Sequence, residues 1–217
     1  MLLDDAGSLE HASILVGDDV EHHLRRVLRL RDGDSVSVTD GAGRWRMAAV
    51  RTSSSTLHLE ATGEIVVEER ADSFTLATAI PKGDRLDWLV QKTVEIGVGE
   101  IVLIDAERSA VRWGPERARK QLGRLRRIAD EGVRQSRRIW RAELTGPIPA
   151  NDILTTAAIA EPGGDRMDAN ESLVAIGPEG GWTDGELALS TRRVGLGRNI
   201  LRIETAAVAA ASLRLLR

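Results

Sequence analysis

The stretch LVAIGPEGGWTDGEL, residues 173–187, runs from an apolar segment of buried-strand length into a turn of three glycines, one proline and one glutamate. Such a loop leaves its backbone N–H and C=O groups accessible and keeps side chains out of the way, which suits close approach of a ligand to the main chain. Thr183 and Glu186 follow at the spacing of a capping box. A helix is therefore expected at the loop's exit, with the positive end of its dipole toward the same space. By local pattern alone the loop is either a small-molecule site or a tight strand-to-helix turn that binds nothing, because one glycine-rich loop is a weak signal.

Around this stretch the periodicity alternates. Residues 73–80 read as a strand, and residues 84–96 as a helix with Leu86, Leu89, Val90 and Val94 on one face; Gly97 and Gly99 break it before a strand at 100–105. A long basic helix is expected over about 115–135, then a short strand at 139–144, a helix near 151–160 and a polar Gly/Pro loop at 161–170. The strand 173–176, a helix near 184–193, a final short apolar strand at 200–203 and an alanine-rich helix over 205–216 complete the pattern. The alternation predicts an α/β fold with a mainly parallel sheet, in which ligands sit at the carboxyl ends of strands, where residues 177–181 fall. A second glycine loop, residues 195–199, either lines the same pocket or closes a surface turn.

The first 70 residues differ. Val20, Leu24, Val27 and Leu28 recur at helical spacing, with Asp19 available as a cap and Gly33 as a stop, so one short amphipathic helix is expected over 20–30. Period-two runs follow, separated by turn compositions at residues 40–43 and 52–55, which predicts a small β-rich, barrel-like domain. Its helix carries Arg25, Arg26, Arg29 and Arg31, either polyanion contacts or simply a solvated face.

Composition narrows the chemistry. The chain has 217 residues and no cysteine, which excludes thiolate catalysis and sulfur-ligated metal; its four histidines, His11, His22, His23 and His58, show no metal-ligand spacing, so no metal is expected. The N-terminal residues lack a basic segment ahead of an apolar core, and no apolar run is long enough to cross a bilayer, so the expectation is a cytoplasmic protein without a membrane partner. A formal net charge of -3 hides an uneven distribution: residues 108–141 hold twelve Arg or Lys against three acids, a local balance of +9, leaving -12 for the rest. That block reads as a footprint for a polyanion or as a salt-bridged helix face. Arginine at eleven of the twelve positions leans toward phosphate recognition.

Five segments together resemble one family. They are HHLRRVLRLRDGD at 22–34, PKGDRLDWLVQKTVEIGV at 81–98, RQSRR at 134–138, AIGPEGGWTDGEL at 175–187 and LGRNILRIETAA at 196–207. In order and spacing they are similar to the RsmE-type 16S ribosomal RNA uridine N3-methyltransferases of the SPOUT superfamily. The resemblance implies an N-terminal PUA-like RNA-binding β-barrel over 1–70 and, over 73–217, an α/β SPOUT domain whose C-terminal trefoil knot binds S-adenosyl-L-methionine. It also implies a homodimer and a substrate in 16S rRNA or the small ribosomal subunit. The chain departs from the family pattern at Arg134, at Arg198-Asn199 and at Arg141-Ala142.

Carried over by position, the resemblance assigns the cofactor to Ile176, Gly177, Pro178, Glu179, Gly180, Gly181, Leu196, Gly197, Asn199, Ile200, Leu201 and Thr205. It assigns RNA contacts to Arg25, Arg26, Arg29, Gln135, Ser136 and Arg137. Arg134 and Arg138 become the candidates for stabilising the uracil anion and Arg202 a candidate for orienting the target base or a phosphate, and no His, Asp or Glu stands out as general base. The alternative is a ribosome- or RNA-binding protein of the same fold with a disabled cofactor site.

Overall fold

The computed structural model describes residues 1–3, 5–52, 57–70 and 74–216. By its internal contacts the chain divides into Met1–Ala71 with Arg137–Arg141, and Asp72–Ser136 with Ala142–Arg217.

In the smaller unit, β1 (Ser13–Leu15) leads to α1 (Asp18–His22), and β2 (Ser35–Thr39), β3 (Arg44–Thr52), β4 (Leu57–Ala61) and β5 (Val66–Val67) follow. They form an antiparallel sheet in the order β1-β4-β3-β2, with β5 against the start of β3. Period-two alternation turns Ile14, Val38, Ala48, Val50, Leu57 and Leu59 onto one core with Leu9, Val20 and Leu24. The helix expected over 20–30 is shorter: α1 passes into a π-helical turn, His23–Val27, and Arg29 (φ 54°), rather than Gly33, reverses the chain. The wider turn changes the angular register, so Leu28 is half-exposed instead of joining the core. Of the turn expected at 52–55, everything past Thr52 lies outside the described residues, as do the side chains of Asp19 and Val27.

The segment Arg137–Arg141 joins this unit through the turn at residues 40–43. Thr39 Oγ1 donates to the Ile139 carbonyl at 3.0 Å, and the Arg141 N–H donates to Gly41 O at 2.8 Å. A side chain on Gly43 would start 2.2 Å from the Trp140 ring, so glycine is what lets the indole lie there.

The larger unit alternates as expected: β6 (Thr75–Ala79), α2 (Arg85–Ile96), β7 (Glu100–Asp105), α3 (Pro115–Gln135), β8 (Glu143–Pro149), α4 (Asn151–Leu154), β9 (Ala158–Arg166), β10 (Leu173–Ile176), α5 (Asp184–Leu189), β11 (Arg193–Gly195) and α6 (Ile203–Leu215). The sheet is parallel in the order β11-β9-β10-β6-β7-β8. Its strands read as near-continuous apolar runs because both faces are covered: Leu76, Ala77, Ile101, Leu103, Val174 and Ala175 are all buried.

Three helices start at the carboxyl edge and run the same way. Asp87 pairs with Arg124 near the start of α2, and a Cβ on Gly132, late in α3, would stand 3.1 Å from Val94 late in α2. Arg85 faces Glu204 at the start of α6, whereas Leu215 at its end comes near Gly97.

Several boundaries move. The strand expected at 139–144 is β8, four residues later, because Ile139 and Trp140 belong to the other unit. The helix expected through Ala160 stops at Leu154, and the loop expected at 161–170 is largely strand β9. Ala158 and Ile159 are buried between β10 and β11, so sheet burial overrides alanine's helix propensity. β9 is bulged: pairing jumps from Ile159 to Asp165 between the adjacent residues Arg193 and Val194. α5 ends at Leu189, not 193; the last strand is Arg193–Gly195, not 200–203; and α6 begins at Ile203, two residues early.

Candidate functional site

At the end of β10 the chain enters the glycine loop, and neighbouring side chains fasten it. Trp182, buried, donates from its indole Nε1 to Ala160 O at 3.2 Å and lies where a Cβ on Gly177 would be, 2.7 Å from the ring. Arg108, in the loop after β7, donates from Nη1 to Trp182 O at 3.1 Å and Gly180 O at 3.4 Å. A Cβ on Gly180 would stand 3.0 Å from Arg108 Cβ. Gly177 and Gly180 thus make room for the protein's own Trp182 and Arg108. That is a different physical reason from clearance for a ligand.

The capping box is present. The Thr183 N–H donates to Glu186 Oε2 at 2.9 Å, and the Glu186 N–H donates to Thr183 Oγ1 at 3.3 Å. Glu186 is buried, and its other oxygen accepts the Glu107 N–H at 2.8 Å. The carboxylate therefore fixes the loop after β7 to the start of α5.

The second glycine loop approaches from β11. Together the loops and the β9 bulge enclose a cavity of about 540 Å³, within the range typical of small-molecule sites. Of the residues assigned to the cofactor, Ile176, Gly177, Pro178, Glu179, Gly180 and Gly181 line it from one side, and Leu196, Gly197, Asn199, Ile200 and Leu201 from the other, with Arg202. Thr205 does not line it and faces a smaller hollow with Asp84, Arg85, Trp88 and Glu204. Ala160, Glu161, Pro162 and Trp182 line the cavity without having been singled out from the sequence. The signal for the first three was present as a Pro-Gly-Gly run after apolar residues, a composition that fits a strand bulge as well as a loop.

Beside the cavity, a cleft of about 350 Å³ holds Asp105, Arg112 and Glu186. Burial raises the Asp105 carboxyl above its ordinary pKa, with Arg112 pulling the other way. In the smaller unit, burial pushes the Asp40 carboxyl up, but hydrogen bonds from the Arg44 side chain and from the N–H groups of Ala42 and Arg44 hold it below the ordinary value.

The remaining candidates lie elsewhere. Arg134 closes the last turn of α3 with Nη1 3.6 Å from Glu131, and Gln135 donates to Glu131 at 3.3 Å. Ser136 Oγ donates to Gly132 O at 2.7 Å. All three sit at the end of α3 away from the cavity, because α3 starts at the carboxyl edge and runs for about 30 Å. Arg137 (φ 56°) and Arg138 belong to the smaller unit. Burial lowers the pKa of the Arg138 guanidinium, and the charge of Arg70 adds to the effect. Arg25 pairs with Glu21 at 2.6 Å, whereas Arg26 and Arg29 project into solvent. Among the described residues no group of three His, Cys, Asp or Glu is placed to hold a metal, and no helix is long and apolar enough to cross a membrane.

A parallel sheet with a loop-walled cavity at its carboxyl edge, preceded by a small antiparallel unit, defines a class. Residues 68–214 match the family described as an RNA methyltransferase domain, and residues 16–62 that described as an RNA methyltransferase PUA domain. The chain belongs to the ribosomal RNA small subunit methyltransferase E family. It is 31% identical to the Synechocystis member over 210 residues, 85% of this chain and 67% of that protein. It is 28% identical to the Bacillus subtilis member over 234 residues, 91% and 87% of the two chains. The structure of the Neisseria gonorrhoeae member bound to S-adenosyl methionine superposes with a TM-score of 0.78 at 28% identity, covering 98% of this chain and 94% of that one.

Proposed function

We propose that the protein transfers the methyl group of S-adenosyl-L-methionine to N3 of a specific uridine in the 16S rRNA of the small ribosomal subunit, as a cytoplasmic homodimer. One observation carries the reading: two glycine loops and a strand bulge converge on a cavity of about 540 Å³ at the carboxyl edge of a parallel sheet, in a chain of this family. When bound there, the cofactor supplies a methyl group already activated on a sulfonium. Residues 176–181 and 196–201 hold it chiefly through backbone groups, while Glu161 and Glu179 bring negative charge to a ligand carrying cationic centres. Thr205 serves α6 instead.

The sheet order, in which β11 lies beyond β9 and β10, supports a trefoil knot in the C-terminal part of a domain spanning 73–217. Residues 1–70 act as a PUA-like barrel that positions rRNA through Arg25, Arg26 and Arg29. Gln135, Ser136 and Arg137 extend that contact. Because the donor is activated, the protein's task is to hold the base in line and favour loss of its N3 proton. Arg202 at the cavity, with Arg134 and Arg138 from a second copy, stabilises the negative charge that develops on the base.

The test is to incubate unmodified small subunits and free 16S rRNA with the protein and cofactor, quantify nucleosides by mass spectrometry, and map the position by primer extension. N3-methyluridine at one site is the expected product. Ribose methylation or another methylated base would overturn the N3 assignment. RNA binding without cofactor binding in calorimetry would favour the RNA-binding alternative.

A further inference from the structure

Next to the cofactor cavity, the first turns of α2 and α6 leave a hollow of about 350 Å³ lined by Asp84, Arg85, Trp88, Glu204 and Thr205. The Glu204 side chain is only 12% exposed and its Oε1 stands 3.8 Å from Arg85 Nε, beyond hydrogen-bonding distance. Its Oε2 is shielded from solvent and accepts no hydrogen bond. Oε1 is therefore the oxygen left toward the hollow, facing Arg85 without a hydrogen bond. Arg85 also has Nη1 3.8 Å from Glu179 Oε1, in the loop that walls the cofactor cavity. Its guanidinium therefore spans the boundary between the two hollows, while Trp88 is 46% exposed.

We propose that this hollow receives the target uracil, with Trp88 as stacking surface, Glu204 Oε1 as acceptor of the N3 proton and Arg85 as the cation facing a ring carbonyl. The inference rests on the N3-methylation reading and supplies the general base that the sequence does not reveal. The pairing edge of uracil presents one N–H donor between two carbonyl acceptors, and a carboxylate oxygen beside a guanidinium complements it. Cytosine, whose N3 is an acceptor, meets repulsion at the same oxygen, so Glu204 also sets specificity. An extruded base needs a flat surface to replace its stacking neighbours, which an exposed indole provides.

In the step, the N3–H bond breaks with its proton going to Glu204 Oε1. The N3 electron pair forms the bond to the methyl carbon, and the methyl–sulfur pair departs with sulfur. Glu204 then releases the proton to water. The charged groups that line the hollow with Glu204 are Arg85 on α2 and Asp84 immediately before it, and Glu179 on the loop faces the same Arg85 guanidinium.

The experiment compares the full-length protein with its Glu204→Gln, Glu204→Asp and Trp88→Ala variants on unmodified small-subunit RNA. Wild type must first yield N3-methyluridine; if it yields none, the functional reading fails independently of this inference. With an active wild type, Glu204→Gln is expected to bind cofactor within about twofold of wild type and to lose at least 100-fold in kcat. Its rate should rise more steeply with pH than the wild type's, because solvent must now take the proton, and Glu204→Asp should recover part of the loss. Trp88→Ala should weaken RNA binding, measured with S-adenosylhomocysteine present, by about five- to 150-fold, the range for loss of one stacked base. An unchanged kcat and pH profile in Glu204→Gln, or unchanged RNA affinity in Trp88→Ala, overturns the assignment.

Discussion

The two loops that wall the cavity at the carboxyl edge are built on opposite principles. Residues 177–182 are tied at every side: Trp182 to β9, Arg108 to two carbonyls, and Glu186 to both the Thr183 cap and the loop after β7. Residues 196–201 make no hydrogen bond among the described residues, and α6 beyond them starts without a side-chain cap. Ile200 in this loop is 86% exposed. One wall is therefore preorganised by the fold, and the other is left without such ties. Preorganisation lowers the ordering cost of binding, whereas an apolar side chain left in water is covered only when the ligand arrives.

The contrast can be broken from the rigid side. Trp182→Ala removes the buried indole that fills the space beside Gly177 and should cost about 3–5 kcal/mol of stability, read by denaturant melts, with loss of cofactor binding. Retention of wild-type cofactor affinity in that variant would show that the first loop does not need its staple. Arg108→Ala should cost less, about 1–2 kcal/mol in cofactor affinity by calorimetry, because its bonds are long and partly exposed. Arg108→Lys should recover little, since a point charge cannot span two carbonyls as a fork does. Ile200→Ala, on the open loop, should leave stability within about 0.5 kcal/mol and weaken cofactor affinity by up to about tenfold. A larger stability loss there would mean that the second loop is fastened after all.

The same division governs what could be read from the sequence. The 173–187 stretch gave its strand, its turn and its capping box directly, since each rests on spacing within a few residues. α2 and α3 were legible because their apolar faces repeat over several turns. β9 was not. Ala158, Ile159 and Ala160 suit a helix or a strand equally, and only burial between β10 and β11 settles them, together with a bulge at a Pro-Gly-Gly run. Arg108 and Trp182 escaped notice for a related reason: each acts on residues distant in sequence, and no local pattern marks an arginine that will hold a carbonyl 72 or more positions away. Likewise, nothing local assigns Trp140 to the turn around Gly43.

The parallel course of α2, α3 and α6 has a genetic consequence. Arg134 ends α3 about 30 Å from the helix's start at the cavity edge, so the role proposed for it requires the cavity of a second copy of the chain. On the proposed homodimer, a chain carrying Arg134→Ala and one carrying Trp182→Ala are each expected to be inactive alone, whereas a mixed pair would retain one site with an intact cavity and an intact arginine from the other copy. Coexpressing the two alleles should therefore restore part of the activity that neither gives singly.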